Sequence, residues 1–164
     1  MRAIGLSTIA AVVIQPVVFW AWFLLPALFY GAAVTIKDIF AMAFYVIVVA
    51  FAFVVVLGVP LFLVLRYFNR ANWLHLCVSG FLAGAIPLAV YSWPSSSRFN
   101  GYSSGGNWHG RYVELFVNGA PTTYGWLSYA ESVTKFGVHG VVAALIFLFV
   151  WQRLAHPVSH RQDA

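Results

Sequence analysis

The sequence contains very few charged residues. Only 8% of its 164 residues are charged, with nine basic and four acidic side chains, whereas ordinary soluble domains carry about 25%. So few charges cannot cover a folded chain of this size in water. Hydrophobic residues make up 62% of the chain, which also excludes a disordered protein. The composition therefore predicts a protein that is embedded in lipid.

Recognisable signatures of chemistry are also missing. The single cysteine, Cys77, excludes an intramolecular disulfide and a disulfide scaffold. The sequence has no Gly-rich phosphate loop, no His-Glu-x-x-His pair and no nucleophile elbow, and its His, Cys, Asp and Glu residues lack the spacing of metal ligands. The basic residues are spread over every loop, without the run or stripe that tracks nucleic acid. We therefore expect no enzyme, no cofactor, no metal and no nucleic-acid partner.

Long uncharged stretches predict the fold. A membrane-spanning helix needs about 20 mainly apolar residues, and the uncharged stretches cover residues 3–36, 39–65, 71–97 and 136–152. We predict an all-α membrane protein, a bundle of four transmembrane helices in a single domain over residues 1–164. The expected helices cover about 9–29, 38–65, 73–93 and 129–153.

Capping residues predict where three of these helices begin. Thr35 and Asp38 have the spacing of a capping box, in which each side chain accepts a hydrogen bond from the other residue's backbone. Asn72 can cap the third helix. Ser128 and Glu131 repeat the capping-box spacing before the fourth helix.

The first stretch leaves alternatives open. A helix over residues 3–36 would be about 50 Å long, more than a bilayer needs, and Pro16 and Pro26 interrupt it. We favour one kinked span over 9–29. A span that ends at Trp22, followed by a re-entrant segment over 24–36, is an alternative. A signal peptide is disfavoured because the apolar part is too long.

The basic residues predict the orientation. With four spans, Arg2, Arg66, Arg70, Arg153 and Arg161 share one side, and Lys37, Arg98, Arg111 and Lys135 share the other. Because basic residues accumulate on the cytoplasmic side, we expect a multi-pass protein of a bacterial inner membrane with both termini in the cytoplasm. The tail, residues 154–164, is then cytoplasmic, and the loop, residues 94–128, is extracytoplasmic.

The extracytoplasmic loop between the third and fourth helices is predicted to contain a β-hairpin. Residues 111–117 and 120–124 have strand composition and flank Asn118-Gly119, which favours a type I′ turn. Pro121 marks the second strand as an edge strand. The Ser- and Gly-rich residues 101–107 indicate an irregular loop.

Aromatic residues make this loop a candidate partner-binding surface. The candidates are Trp108, Tyr112, Phe116, Tyr124 and Trp126. Exposed aromatic residues anchor protein interfaces. The alternative, which we favour, is that they pack the hairpin onto the helices and sit at the membrane interface.

Small residues predict where helices touch. Gly80 and Gly84 in the third helix, and Gly137 and Gly140 in the fourth, permit close backbone approach. We expect these faces to be satisfied within one bundle, with self-association through Gly80 and Gly84 as the alternative. His139 is expected to hydrogen-bond across a helix contact or to reach the membrane interface, rather than to bind a metal.

These features favour a binding function. We expect a non-enzymatic accessory or immunity-type component, which binds a membrane or periplasmic protein through its loop or its helix faces and lies in the lipid bilayer. The alternative is one subunit of an oligomeric channel or small transporter, since four short helices with little polar lining make a poor pore alone. An intramembrane enzyme ranks third.

Overall fold

The structure is a computed structural model that describes residues 2–29, 33–95 and 101–155. It is mostly helical, at 76%, and its four long helices are all apolar enough to cross a membrane. They are α1 (Arg2–Phe29), α2 (Ile36–Tyr67), α3 (Trp73–Tyr91) and α4 (Thr123–Ala155). A small three-stranded antiparallel sheet lies between α3 and α4 in the chain. Most of the predicted tail, residues 156–164, lies outside the described residues.

The helices α2 and α3 begin at the predicted caps. The Thr35 hydroxyl accepts a hydrogen bond from the Asp38 N–H at 3.3 Å, and the Asp38 carboxylate accepts one from the Thr35 N–H at 3.0 Å. The Asn72 side-chain oxygen accepts from the His75 N–H at 3.0 Å. Both predicted helix starts are confirmed.

The helix α1 is continuous and longer than predicted, since it begins at Arg2 rather than near Ile9. It passes Trp22 in a π-helical turn, Trp20–Leu24, and continues to Phe29. Pro26 lies just after this turn, where the wider helical turn accommodates a residue without a backbone N–H. The described residues after Trp22 therefore extend the helix and do not form a separate re-entrant segment.

The helix α2 also contains a π-helical turn followed by a proline. A π-helical turn covers Val54–Gly58, and Pro60 follows it by two residues. Pro26 and Pro60 thus each follow a π-helical turn, and neither ends its helix.

The helix α4 begins six residues earlier than predicted, at Thr123. The Thr122 hydroxyl accepts a hydrogen bond from the Gly125 N–H at 3.1 Å and so caps the first turn. Ser128 lies inside the helix, which makes the predicted Ser128–Glu131 capping box wrong. The spacing of a capping box also arises by chance within a helix, and here the earlier threonine caps the helix instead.

The sheet contains the predicted hairpin and one further strand. The prediction that the second hairpin strand reaches Tyr124 is wrong, because this strand ends at Pro121 and α4 begins at Thr123. Strands β2 (Arg111–Val117) and β3 (Ala120–Pro121) flank Asn118 and Gly119, which both have positive φ. Strand β1 (Ser104–Trp108) pairs with β2, so the prediction of an irregular loop over 101–107 is wrong from Ser104 onward. His109 and Gly110 also have positive φ and form a second tight turn, which returns the chain from β1 to β2.

The buried core lies at one end of the bundle. It contains Ala11 and Val12 of α1, Val54 and Phe62 of α2, Leu76 of α3, and Phe147 and Leu148 of α4. The Phe62 ring lies 4.8 Å from that of Phe147 and 5.1 Å from that of Trp151. Because this core joins the late part of α2 to the start of α3 and the late part of α4, the helices alternate in direction. We call this the terminal end of the bundle, and the opposite end the sheet end.

The helices α3 and α4 touch backbone to backbone. A Cβ atom added at Gly140 would overlap the carbonyl oxygen of Gly80, and one added at Gly84 would overlap that of Phe136. Gly137 lies against the Phe81 ring. The four glycines named as helix-packing candidates therefore meet at one contact inside the bundle, and Gly80 and Gly84 are already covered by α4.

We expect Gly140→Ala to lower the free energy of unfolding by about 2 kcal/mol, because the new methyl group forces the two backbones apart. Gly58→Ala is the matched control, since the nearest atom to its added Cβ is a Val54 methyl at 3.6 Å. The control should be neutral or stabilising by up to about 1 kcal/mol. Denaturation of both variants in one detergent tests this, and an equal loss in both would contradict it.

Candidate functional site

A single carboxylate fixes the sheet to α4. The Trp108 indole N–H donates to Glu131 Oε2 at 2.8 Å, and the Lys135 ammonium lies 2.6 Å from Glu131 Oε1. The imidazole Nε2 of His109 lies 3.2 Å from Oε2. Glu131 thus contacts the end of β1, the turn after it and the next turn of its own helix. These contacts, rather than a helix cap, account for its position.

An aromatic cluster fills the junction between the sheet and the helices. The Trp108 and Tyr124 rings are 5.5 Å apart, and the Trp126 ring lies 5.5 Å from that of Trp93. The Tyr129 hydroxyl donates to the Ala89 carbonyl at 3.0 Å, which ties α4 to α3. Three of the five aromatic candidates, Trp108, Tyr124 and Trp126, therefore lie in this junction.

The other two aromatic candidates lie on the outward face of the sheet. Val113 is buried on the inward face, and because side chains alternate along a strand, Tyr112 and Phe116 lie on the opposite face. Tyr112 is 78% exposed, and Asn107 is its cross-strand partner on β1. Phe116 is only partly exposed. Tyr112 is therefore the most accessible aromatic side chain of the sheet.

The two edges of the sheet differ. Strand β3 covers only Ala120–Pro121, and proline at an edge blocks further pairing. Strand β1 has the sequence Ser-Gly-Gly-Asn-Trp, without the charge or proline that usually protects an edge. Among the described residues no strand pairs with its outer edge. The backbone groups of β1 therefore offer a template for an added strand.

A cavity of about 360 Å³ lies among all four helices. Its walls are mainly apolar and include Phe19 and Phe23 of α1, Val46 and Val49 of α2, Ala83 of α3 and Ala143 of α4. Both π-helical turns contribute to it, through Phe23 and through Val54 and Gly58. Volumes of 300 to 1,000 Å³ with mainly apolar walls are usual for small-molecule sites.

A polar pair from two helices stands in the wall of this cavity. His139 Nδ1 lies 2.7 Å from the Gln15 side-chain oxygen, and Gln15 is only 2% exposed. The Gln15 amide nitrogen donates to the Ala11 carbonyl at 3.1 Å, so its oxygen is the atom turned to the histidine. The expected hydrogen bond of His139 across a helix contact is confirmed, and its partner is a residue 124 positions away.

Neither region brings metal ligands together. Within residues 2–29, 33–95 and 101–155, no three His, Cys, Asp or Glu side chains form a group that could hold a metal ion. Cys77 is partly buried in α3.

No known protein family, curated protein or solved structure matches this chain. The two candidate sites, the outer edge of β1 and the cavity among the helices, are therefore argued from their geometry.

We expect Glu131→Ala to loosen the sheet from α4, because it removes the acceptor of the Trp108 indole and the partner of Lys135. Hydrogen bonds to charged groups contribute about 1.5–3 kcal/mol, so amide exchange in β1 and β2 should accelerate roughly tenfold or more. Glu114→Ala removes an exposed acid from β2 and is the matched control. Glu131→Gln keeps an acceptor for Trp108, so its amide exchange should be faster than in Glu114→Ala and slower than in Glu131→Ala. Unchanged exchange in Glu131→Ala would contradict the docking role.

Proposed function

We propose that the chain is a multi-pass protein of a bacterial inner membrane, with both termini in the cytoplasm and the sheet outside it. Four helices of sufficient length and apolar character support this placement. Arg66 lies in the last turn of α2, Arg70 lies in the connection between α2 and α3, and Arg153 lies in the last turn of α4. Basic residues at these positions favour the cytoplasm for the terminal end.

Two introduced cysteines test this orientation. In a Cys77→Ala background, Ser103→Cys beside the sheet should react in intact spheroplasts with a thiol reagent that cannot cross the membrane. Phe68→Cys, in the connection between α2 and α3, should react only after the membrane is opened. Both parent side chains are exposed, so access rather than burial decides the result. Reaction of both cysteines from one side would refute the four-span topology.

The function that the geometry supports best is non-enzymatic binding of a protein partner by the sheet. The observation that carries this proposal is the outer edge of β1, with which no strand pairs in the described part of the chain, next to the exposed Tyr112. An extended segment of a partner can add to a free sheet edge through main-chain hydrogen bonds, while neighbouring side chains give specificity. The ring of Tyr112 lies beside β1, close to Gly105, where it would contact such a segment.

The attachment of the sheet supports the same function. Its contacts through Glu131 and the aromatic cluster hold β1 on α4, so the edge is preorganised. A preorganised surface loses less conformational entropy on binding than a flexible loop does. The expected partner is a membrane or periplasmic protein that presents an extended segment, as an accessory or immunity-type component would require.

The alternative, a subunit of an oligomeric channel or small transporter, has less support. The cavity among the helices has Gln15, Ser79, Tyr45 and His139 as its polar or hydroxyl-bearing residues, and its other walls are apolar. An aqueous pathway needs more polar groups than these.

Site-specific photocrosslinking in cells tests the binding surface. A benzophenone amino acid at Asn107 on β1 should give one discrete adduct with a partner. Tyr112→Ala should reduce that adduct about tenfold, because exposed tyrosines at interface centres often contribute more than 1 kcal/mol to binding. Asn107 is exposed, so the probe does not disturb the packing under the sheet.

The control variant is Tyr67→Ala. Tyr67 is 82% exposed and lies at the terminal end of α2. The Tyr67→Ala variant therefore removes an equally accessible ring on the other side of the membrane. It should leave the adduct unchanged. No adduct at Asn107, or an adduct that Tyr112→Ala leaves intact, would refute binding by this surface.

A further inference from the structure

The cavity among the helices is elongated and reaches the surface of the bundle. Along α4 its lining extends from Phe136 to Phe147, about 16 Å at 1.5 Å per residue. Tyr45 and Val49 of α2 line the cavity and yet remain 71% and 48% exposed. The cavity is therefore open beside α2, on a surface that faces lipid if the helices cross a membrane.

A second cavity, of about 260 Å³, continues the first along α3. The two share Phe53, Gly84 and Phe136, and the second ends at Tyr91, the last residue of α3. From Gly80 to Tyr91 the path covers about 16 Å. Its length, its apolar walls and its opening toward the surroundings of the helices fit a single hydrocarbon chain.

The Gln15–His139 pair determines which polar group a ligand of this cavity must carry. Because the Gln15 oxygen accepts, His139 Nδ1 carries the hydrogen of that contact. In a neutral imidazole the other nitrogen, Nε2, is then a hydrogen-bond acceptor. A charged imidazole would be costly among these apolar side chains. Within the described part of the chain no protein group hydrogen-bonds to Nε2, and His139 lines the cavity.

We propose that this cavity binds a single-chain lipid alcohol from the bilayer, whose hydroxyl donates to His139 Nε2 while its hydrocarbon chain lies along α3 and α4. Gln15 is a positioning residue, since it fixes the tautomer of His139 and does not itself meet the ligand. The site is separate from the sheet, and its occupant is recognised by one hydrogen bond and by apolar contact.

Photolabelling of the purified protein in phosphatidylcholine vesicles tests this site. The probes are hexadecanol with a diazirine in mid-chain and hexadecane with the same diazirine. The alcohol should label peptides that line the cavity about fivefold more strongly than the alkane, the factor expected for one hydrogen bond. His139→Phe should remove this preference, because a phenyl ring cannot accept the hydroxyl in the same way.

Variants of α2 locate the site. Val46 lines the cavity, and Val46→Phe should lower labelling by the alcohol at least about fivefold by filling the space that the chain occupies. Val48→Phe is the matched control. Val48 lies about 200° around the helix from Val46 and is not part of the cavity lining. Val49→Trp fills the cavity from a half-exposed position and serves if Val46→Phe does not fold.

Two results would overturn the proposal. One is alcohol labelling that neither Val46→Phe nor Val49→Trp reduces, and the other is equal labelling of the wild type by alcohol and alkane. Tyr112→Ala should leave labelling unchanged, so failure of the sheet proposal and failure of this one are distinguishable.

Discussion

The backbone contact between α3 and α4 is the constraint on which the rest of the structure depends. Gly80 meets Gly140 at a distance that admits no side chain on either residue. In a lipid environment the burial of hydrocarbon does not drive helices together, so helix association depends on close packing. Once α3 and α4 are fixed, α1 packs on α4 through the core and through the Gln15–His139 pair. The sheet rests on the same α4, where Glu131 lies nearly two helical turns before Gly137.

Local signals in the sequence determine much of the fold, and this part of the fold could therefore be predicted. Thr35 and Asn72 contact backbone groups only three residues away, so their capping role follows from spacing alone. The Asn118-Gly119 turn is equally local. Glu131 shows the limit of such reasoning, because the same spacing from Ser128 arises inside a helix. Its real partners, Trp108 and Lys135, include one that is 23 positions away.

Features that depend on contacts between distant segments could not be predicted. Strand β1 contains two adjacent glycines, which disfavour a strand, and it forms because the His109-Gly110 turn presents it to β2. Gln15 and His139 were each visible as polar residues in apolar helices, but nothing in the sequence joins residues so far apart. The cavity likewise arises from how four helices diverge, and no single helix encodes it.

One ammonium group connects the two candidate sites. Lys135 pairs with Glu131, which holds the sheet, and lies 5.3 Å from the centre of the Phe23 ring, which lines the cavity. His139 follows Lys135 by one helical turn. A ligand that moved Phe23 would therefore change the surroundings of the same ammonium that supports the Trp108–Glu131 contact. Lys135 on α4 is thus in contact with both the residue that holds the sheet and a residue that lines the cavity.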